Sequence, residues 1–285
     1  MQRIIFTNAK GQFVELKSSA PFLLQSIDGL GDVDADVQTQ KAPFQDGSTY
    51  IDSVLQERAI SMQIAILASD IVTLLQQRQY LAAVFNPKLG PGTLRYENDE
   101  TVREIEAVPD GVPTFPSGQD NRGPTFQKAI VNLLCPNPFW KSPEITEEPT
   151  FEPLFQFPFE GVFEIGVQRD NRIIVNDGDA PTPVFIEFYG PAVNPKITNK
   201  TTGEFIKVNQ TLQEGEVMKI DTTPGKKSVY FVQQDGTERN VFNWIDLEST
   251  FFQLVVGENE IEYSADSDIQ GAIVNIRYNK LYNAV

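Results

Sequence analysis

The residue spacings that could do chemistry begin at Asp32, Asp34 and Asp36. Alternate aspartates open a calcium-binding loop, because their oxygens can converge on one hard cation. The rest of that loop is missing. Val37 stands at the sixth position, where glycine makes the sharp turn, and Pro43 at the twelfth, where a glutamate must close the shell. A solvated strand face is the simpler reading. Asp177-Gly178-Asp179 places two carboxylates in a turn, suited to a cation or to half of a glycosidase pair. A glycosidase needs its two carboxyl groups facing across a cleft, and a turn without a catalytic role is the plainer account.

The remaining motifs are fragments. Gly29-Leu30-Gly31 lacks the third glycine of a dinucleotide loop, and Gly90-Pro91-Gly92-Thr93 lacks the Lys-Ser/Thr of a phosphate loop. Asn199-Lys200-Thr201 and Asn209-Gln210-Thr211 match the glycosylation acceptor, a chance match without a secretion signal. Tyr189, Trp244, Phe251 and Phe252 could stack on sugar rings, although core packing explains most of them more simply.

Histidine is absent from all 285 residues. Ser-His-Asp and Cys-His catalysis both need an imidazole base, so their usual forms are closed to this chain. The commonest zinc ligand is missing too, and the lone Cys135 cannot supply a paired-cysteine site or an intramolecular disulfide. Following Leu133-Leu134, Cys135 reads as a small buried hydrophobe. The expectation is no catalytic residue, no cofactor and no metal.

The elements that would position any site are mostly strands. Phe13 to Leu16 and Leu23 to Ile27 read as short strands, and Arg58 to Leu67 alternates with the period of two that marks a half-buried strand. Gly31 to Val37 alternates likewise and predicts a strand with its aspartates on one face. One helix is expected over about 69–86. Ser69 is its N-cap, Asp70 sits in its first turn, and Ile71, Leu74, Leu75, Leu81 and Phe85 form its buried stripe; it stops before Pro87. Gly92 to Tyr96 and Val102 to Val108 read as a hairpin turning near Asn98-Asp99. Residues 109–124, rich in proline and glycine, predict a long loop of the functional or mobile kind. Phe126 to Cys135 returns as a strand.

Residues 141–160 interleave prolines with Phe151, Phe155, Phe157 and Phe159, the pattern of an extended linker lying against a surface. Beyond it, candidate strands run from Phe163 to Val167 through to Ala272 to Tyr278, with turn signals every ~8–12 residues, as in a β-sandwich. The division is therefore 1–140, a β-rich domain with one helix; 141–160, a Pro/Phe-rich linker; and 161–285, a β-sandwich.

Charge excludes several partners. The chain carries 23 Lys+Arg against 39 Asp+Glu, a formal net charge of −16. Residues 1–145 hold 12 basic and 17 acidic side chains, and residues 146–285 hold 11 and 22, so neither half is a basic module. Tight nucleic-acid binding and adhesion to an anionic membrane are both disfavoured. There is no run of ~18 apolar residues for a membrane helix. The start, with one positive charge and a three-residue apolar run, is no signal peptide, so synthesis in a cytosol is expected.

An ordered set of segments resembles a known family. It comprises Arg58-Ala59-Ile60-Ser61-Met62, the capped helix, Phe85-Asn86-Pro87-Lys88-Leu89-Gly90-Pro91-Gly92-Thr93-Leu94 and Cys135-Pro136-Asn137-Pro138-Phe139-Trp140. Phe163-Glu164-Ile165-Gly166, Ile174-Val175-Asn176-Asp177-Gly178-Asp179-Ala180-Pro181-Thr182-Pro183, Asn199-Lys200-Thr201-Thr202-Gly203-Glu204 and Gly257-Glu258-Asn259-Glu260-Ile261 follow. Together, over roughly residues 55–265, this resembles the distal tail protein family of siphophages. The resemblance implies a non-enzymatic ring, usually a hexamer, at the virion tail tip. Residues 1–140 would form the ring and residues 161–285 a galectin-like sandwich. Partners would be further copies, the tail tube protein, a tail-associated lysin or baseplate hub protein and the tape-measure protein, with DNA only in transit. The alternative function is a carbohydrate-binding adhesin recognising host cell-wall sugars through the C-terminal sandwich; a glycoside hydrolase or lyase ranks behind both.

Overall fold

A computed structural model describes residues 2–147, 171–267 and 273–285. The described chain is mostly β and divides into two compact units, 1–143 with 282–285, and 144–281. The Phe151–Phe159 aromatics and the Phe163 to Val167 strand lie outside the described residues, as do most of the 141–160 stretch and Ala272.

The first unit is a closed barrel. Its strands are β1 (Arg3–Thr7), β2 (Phe13–Leu16), β3 (Phe22–Asp28), β4 (Ala35–Gln40), β5 (Thr49–Leu55), β6 (Arg58–Leu67), β7 (Gly92–Glu97), β8 (Val102–Pro109), β9 (Phe126–Cys135) and β10 (Trp140–Lys141). Seven of them pair in the order β2-β1-β7-β8-β9-β6-β3. A parallel bridge between Lys17 and Leu23 joins the two ends, with Lys17 N–H donating to the Phe22 carbonyl (3.3 Å) and Leu24 N–H to that of Lys17 (2.9 Å). Closure leaves no open edge in the ring of strands. Alternation then sends every second side chain inward. Ile4, Phe6, Val14, Leu16, Ile60, Met62, Ile64, Ile66, Leu94, Val131 and Leu133 fill the interior.

The helix α1 (Ile71–Val84) packs on this core through Leu74, Leu81, Val84 and its C-cap Phe85, whose ring stacks on Phe6 at 4.6 Å. Two details differ from the sequence reading. The N-cap is Asp70, one residue past Ser69. Its carboxylate accepts from Thr73 N–H (2.9 Å) and the Thr73 hydroxyl (2.7 Å), while Ser69 only donates to it (2.8 Å). The buried stripe also rotates: Val84 is inside, whereas Ile71 and Leu75 face out. Gln76, Gln77, Arg78 and Gln79 pass once round the helix, so its apolar residues mark no single clean face and the spacing alone could not select the one that packs.

Three further expectations change. The strand read over Gly31 to Val37 is displaced to Ala35–Gln40, because Asp32 Oδ1 accepts Gly29 N–H (3.1 Å) in a turn. Residues 110–125 are fastened rather than loose. Thr114 and Ile130 exchange backbone hydrogen bonds (both 2.9 Å), and the buried Gln127 amide donates to the Pro116 (3.0 Å) and Asn121 (3.2 Å) carbonyls. Finally, Thr250 to Val255 shortens to the two-residue β21 named below.

The second unit is a sandwich. Its strands continue as β11 (Ile145–Glu147), β12 (Asn171–Asn176), β13 (Thr182–Tyr189), β14 (Ala192–Val193), β15 (Lys196–Asn199), β16 (Glu204–Lys207), β17 (Thr211–Leu212), β18 (Val217–Asp221), β19 (Ser228–Val232), β20 (Glu238–Asn240), β21 (Gln253–Leu254), β22 (Gly257–Ser264) and β23 (Ile273–Tyr278). One sheet runs β11-β23-β13-β18-β19-β20, with β21 also on β13. The other runs β12-β22-β15-β16. Ile186, Phe188, Met218, Ile220, Val229, Phe231 and Ile276 of the first sheet meet Ile174, Ile197, Ile206 and Ile261 of the second in one core.

Candidate functional site

The residues singled out for chemistry are not brought together. Asp32 is engaged in its turn, Asp34 contributes its carbonyl to Gln56 N–H (2.8 Å), and Asp36 lies on an exposed strand. Among the described residues no three His, Cys, Asp or Glu side chains cluster as a metal site would require. Asp177 is ion-paired with Lys280 at 2.5 Å. Its turn is pinned by the buried Asn176, whose amide donates to the Ala180 (3.0 Å) and Leu254 (3.1 Å) carbonyls and whose oxygen accepts Gly178 N–H (3.1 Å). This is turn architecture, and it accounts for the Asp177-Gly178-Asp179 spacing.

Cys135 is buried on β9, and burial pushes its thiol up to about 12, so thiolate chemistry is closed to it at neutral pH. Asn199 is buried as well, and its amide donates to Asn259 Oδ1 (3.2 Å), so this sequon offers no accessible acceptor in the folded chain. Gly29 holds φ +92°, and a Cβ there would collide with the Ala59 carbonyl; the glycine serves a close approach of backbones. The four aromatics offer no open platform. Phe252 is core, and Trp244 packs against the core under the Arg239 guanidinium (5.2 Å). Phe251 is stacked on Phe242 at 5.7 Å with Lys227 above it (5.5 Å), and Tyr189 points its hydroxyl at Glu187 (3.5 Å).

What the fold does expose is surface for contact. Strands β4 and β5 form a ribbon that, among the described residues, pairs with no other strand. Every residue of β4, and of β5 up to Val54, is exposed. The register sets Val37 opposite Ser53 and Thr39 opposite Tyr50 on one uncharged face, and Asp36 opposite Val54 and Gln38 opposite Asp52 on the other. At the tip, Phe44 holds φ 66°, a left-handed conformation that aromatic residues rarely take, and leaves its ring wholly in solvent. An isolated two-stranded ribbon is at best marginally stable in water, and among the described residues these apolar side chains have no cover.

A second uncovered surface lies on α1, where Ile71, Val72 and Leu75 are each more than half exposed. Beside them Leu75, Arg78, Gln79, Ala82 and Phe115 line a hollow of about 280 Å³. The Arg78 guanidinium lies over the Phe115 ring at 4.7 Å. The outer face of β1, β2, β7 and β8 is instead a lattice of ion pairs, including Arg3 with Glu97, Arg3 with Glu15 (3.2 Å) and Arg95 with Glu104 (3.3 Å). The Arg3 hydrogen bond holds the Glu97 carboxyl below the usual carboxylate range. The sequence carried the exposed apolar residues but not their exposure, since Val37, Tyr50 and Ile71 read equally well as core.

Two family models match the chain in tandem. The phage tail protein RIFT-related domain covers residues 9–135, and the siphovirus-type tail component C-terminal domain covers residues 177–282. The chain belongs to the siphophage distal tail protein family. Members are structural components of the virion tail and its baseplate hub, and the chain shares that coarse role and its association with other tail proteins. Among solved structures, the chain is similar to the SPP1 Dit (gp 19.1) protein, described as a paradigm of hub adsorption apparatus in Gram-positive infecting phages. The identity is 15%, the TM-score 0.69, and 99% of each chain is covered. It is also similar to the phage P2 baseplate in its activated conformation with Ca, at 11% identity and TM-score 0.57, over 97% of this chain and 98% of that one. No curated protein sequence matches.

Proposed function

We propose that the chain is a non-enzymatic ring subunit at the end of a long non-contractile tail. Six copies join the tail tube to the tail-associated lysin or baseplate hub, with the tape-measure protein as a further partner and a central channel through which DNA passes. The observation that carries this reading is the β4–β5 ribbon, an arm with exposed apolar side chains on the unit that matches the tail protein RIFT-related domain. Such an arm is stable when a neighbouring subunit covers it. The acidic balance supports the channel, since a wall that repels phosphate lets a genome slide without adhering. The second unit, an antiparallel sandwich of the galectin-like kind, would face outward.

Light scattering tests the assembly. A mass near six times 31.9 kDa is expected, and a monomer at every concentration up to the solubility limit overturns the reading.

A further inference from the structure

Both legs of the ribbon meet one buried guanidinium. The chain enters β4 from the turn after β3, residues 29–34, and leaves β5 for β6, whose first residue is Arg58. Gln56 N–H donates to the Asp34 carbonyl (2.8 Å) and closes the root. Arg58 Nη1 donates to the Gly29 carbonyl (2.9 Å) and, at 3.4 Å, to that of Asp32. Trp140 Nε1 donates to the Leu30 carbonyl (3.1 Å). The entering turn is therefore held by two side chains, both fully buried.

Residues 282–285 hold the same guanidinium through its other nitrogen. Arg58 Nη2 donates to the Asn283 carbonyl (2.6 Å). Tyr282 and Val285 pack against the barrel core, and the Tyr282 ring lies under the Arg103 guanidinium at 3.8 Å. A Cβ on Gly31 would stand 3.6 Å from the Ala284 Cβ. These four residues belong to the first unit, although 144–281 precede them in the chain. Were they to leave, Nη2 of a buried guanidinium would lose this acceptor. An unpaired buried charged donor is costly. Turning the guanidinium toward water recovers its hydrogen bonds, and the turn releases the Gly29 and Asp32 carbonyls.

We propose that residues 282–285 are a strap that locks the root of the β4–β5 ribbon through Arg58. The root is fixed while the strap is docked and loosens when it lifts. The strap is synthesised after 144–281, so a chain fixes its ribbon only once its second unit has been made. On the ring reading above, this restricts assembly to chains that carry both units; the strap itself does not depend on that reading.

Hydrogen exchange on full-length chains tests the strap. The double variant Gly31→Cys/Ala284→Cys places two thiols at a Cβ separation within the disulfide range of about 3.5–4.5 Å, and the buried Cys135 stays out of the reaction. Oxidation should slow exchange of the amides of residues 29–34 and of Gln56 at least tenfold relative to the reduced form. Tyr282→Ala, which removes the ring beneath Arg103, should speed the same amides at least tenfold and leave those of β1 and β7 unchanged. Equal exchange in the oxidised and reduced forms overturns the proposal, and so does a disulfide that fails to form. Equal acceleration of β1 and β7 in Tyr282→Ala overturns it too, since the segment would then support the whole barrel. Should Tyr282→Ala not fold, the oxidised and reduced forms decide alone. Exchange reads the strap in whatever oligomeric state the chain takes, so its failure leaves the ring reading standing.

Discussion

Arg58 shows how one side chain can hold a domain together without an ion pair. It is fully buried at the start of β6 and donates to the carbonyls of Gly29 (2.9 Å), Pro138 (2.8 Å) and Asn283 (2.6 Å), with a longer contact to Asp32 (3.4 Å). Burial lowers its pKa from the usual arginine value. Three segments far apart in sequence therefore converge on one guanidinium, whose planar fork of five donors suits them. Arg58→Met keeps most of the volume and strands these acceptors. It should destabilise the first unit by about 3 kcal/mol, and Arg58→Lys should recover only part, since one ammonium cannot reach all three segments. Urea unfolding followed by Trp140 fluorescence, in a Trp244→Phe background that silences the second unit, reads the order wild type, Lys, Met; equal midpoints would remove the argument. The sequence marked Arg58 only as the residue leading a strand. The buried amides of Asn176, Asn199 and Asn259 were equally hidden, because the sequence does not distinguish a solvated asparagine from one satisfying a buried turn.

At the scale of elements, legibility followed amphipathicity. Arg58–Leu67 and Phe126–Cys135 could be read residue for residue because one face of each is core and the other is not. Ile145–Glu147 was hidden in a stretch dominated by prolines, and it is a strand only because Ile276 to Tyr278 pair with it. The helix was legible in extent but not in orientation, for Ile71, Val72, Leu74 and Leu75 leave no polar face in its first turns. Of the arm, only part of its first strand could be read, over Gly31 to Val37; its exposure could not, since exposure of apolar strands is a property of the tertiary fold.

The helix cap makes a separate prediction. Hydrogen bonds from Thr73 N–H and the Thr73 hydroxyl lower the Asp70 carboxyl to about 2. A depressed carboxyl contributes its stabilisation above the unfolded-state pKa and loses it as pH falls through the folded value. The Thr73 amide resonance should therefore hold its position from pH 5 to pH 3. A titration midpoint near 4 would show that the cap does not bind the charged form. Asp70→Asn, which keeps an acceptor without the charge, should abolish any dependence below pH 3.

For the whole molecule, assembly sets a local attraction against a global repulsion. Each copy brings a formal charge of −16, and bringing copies together concentrates that charge. Against it stand apolar burial, which salt does not screen, and at most a few opposite charges where copies meet. The Debye length shrinks from about 30 Å at 0.01 M to about 8 Å at 0.15 M salt, so added salt removes the long-range repulsion before it reaches a close, partly buried pair. Ring formation should therefore strengthen between 10 and about 150 mM NaCl. With no histidine in the chain, the balance should barely change from pH 6 to pH 8, where unperturbed carboxylates and lysines keep their charge. Sedimentation velocity across that grid of salt and pH separates the terms. Assembly weakened by salt would mean that opposite charges at the interface outweigh the repulsion between copies, and a sharp dependence near neutral pH would require a perturbed carboxylate or amine buried at the contact.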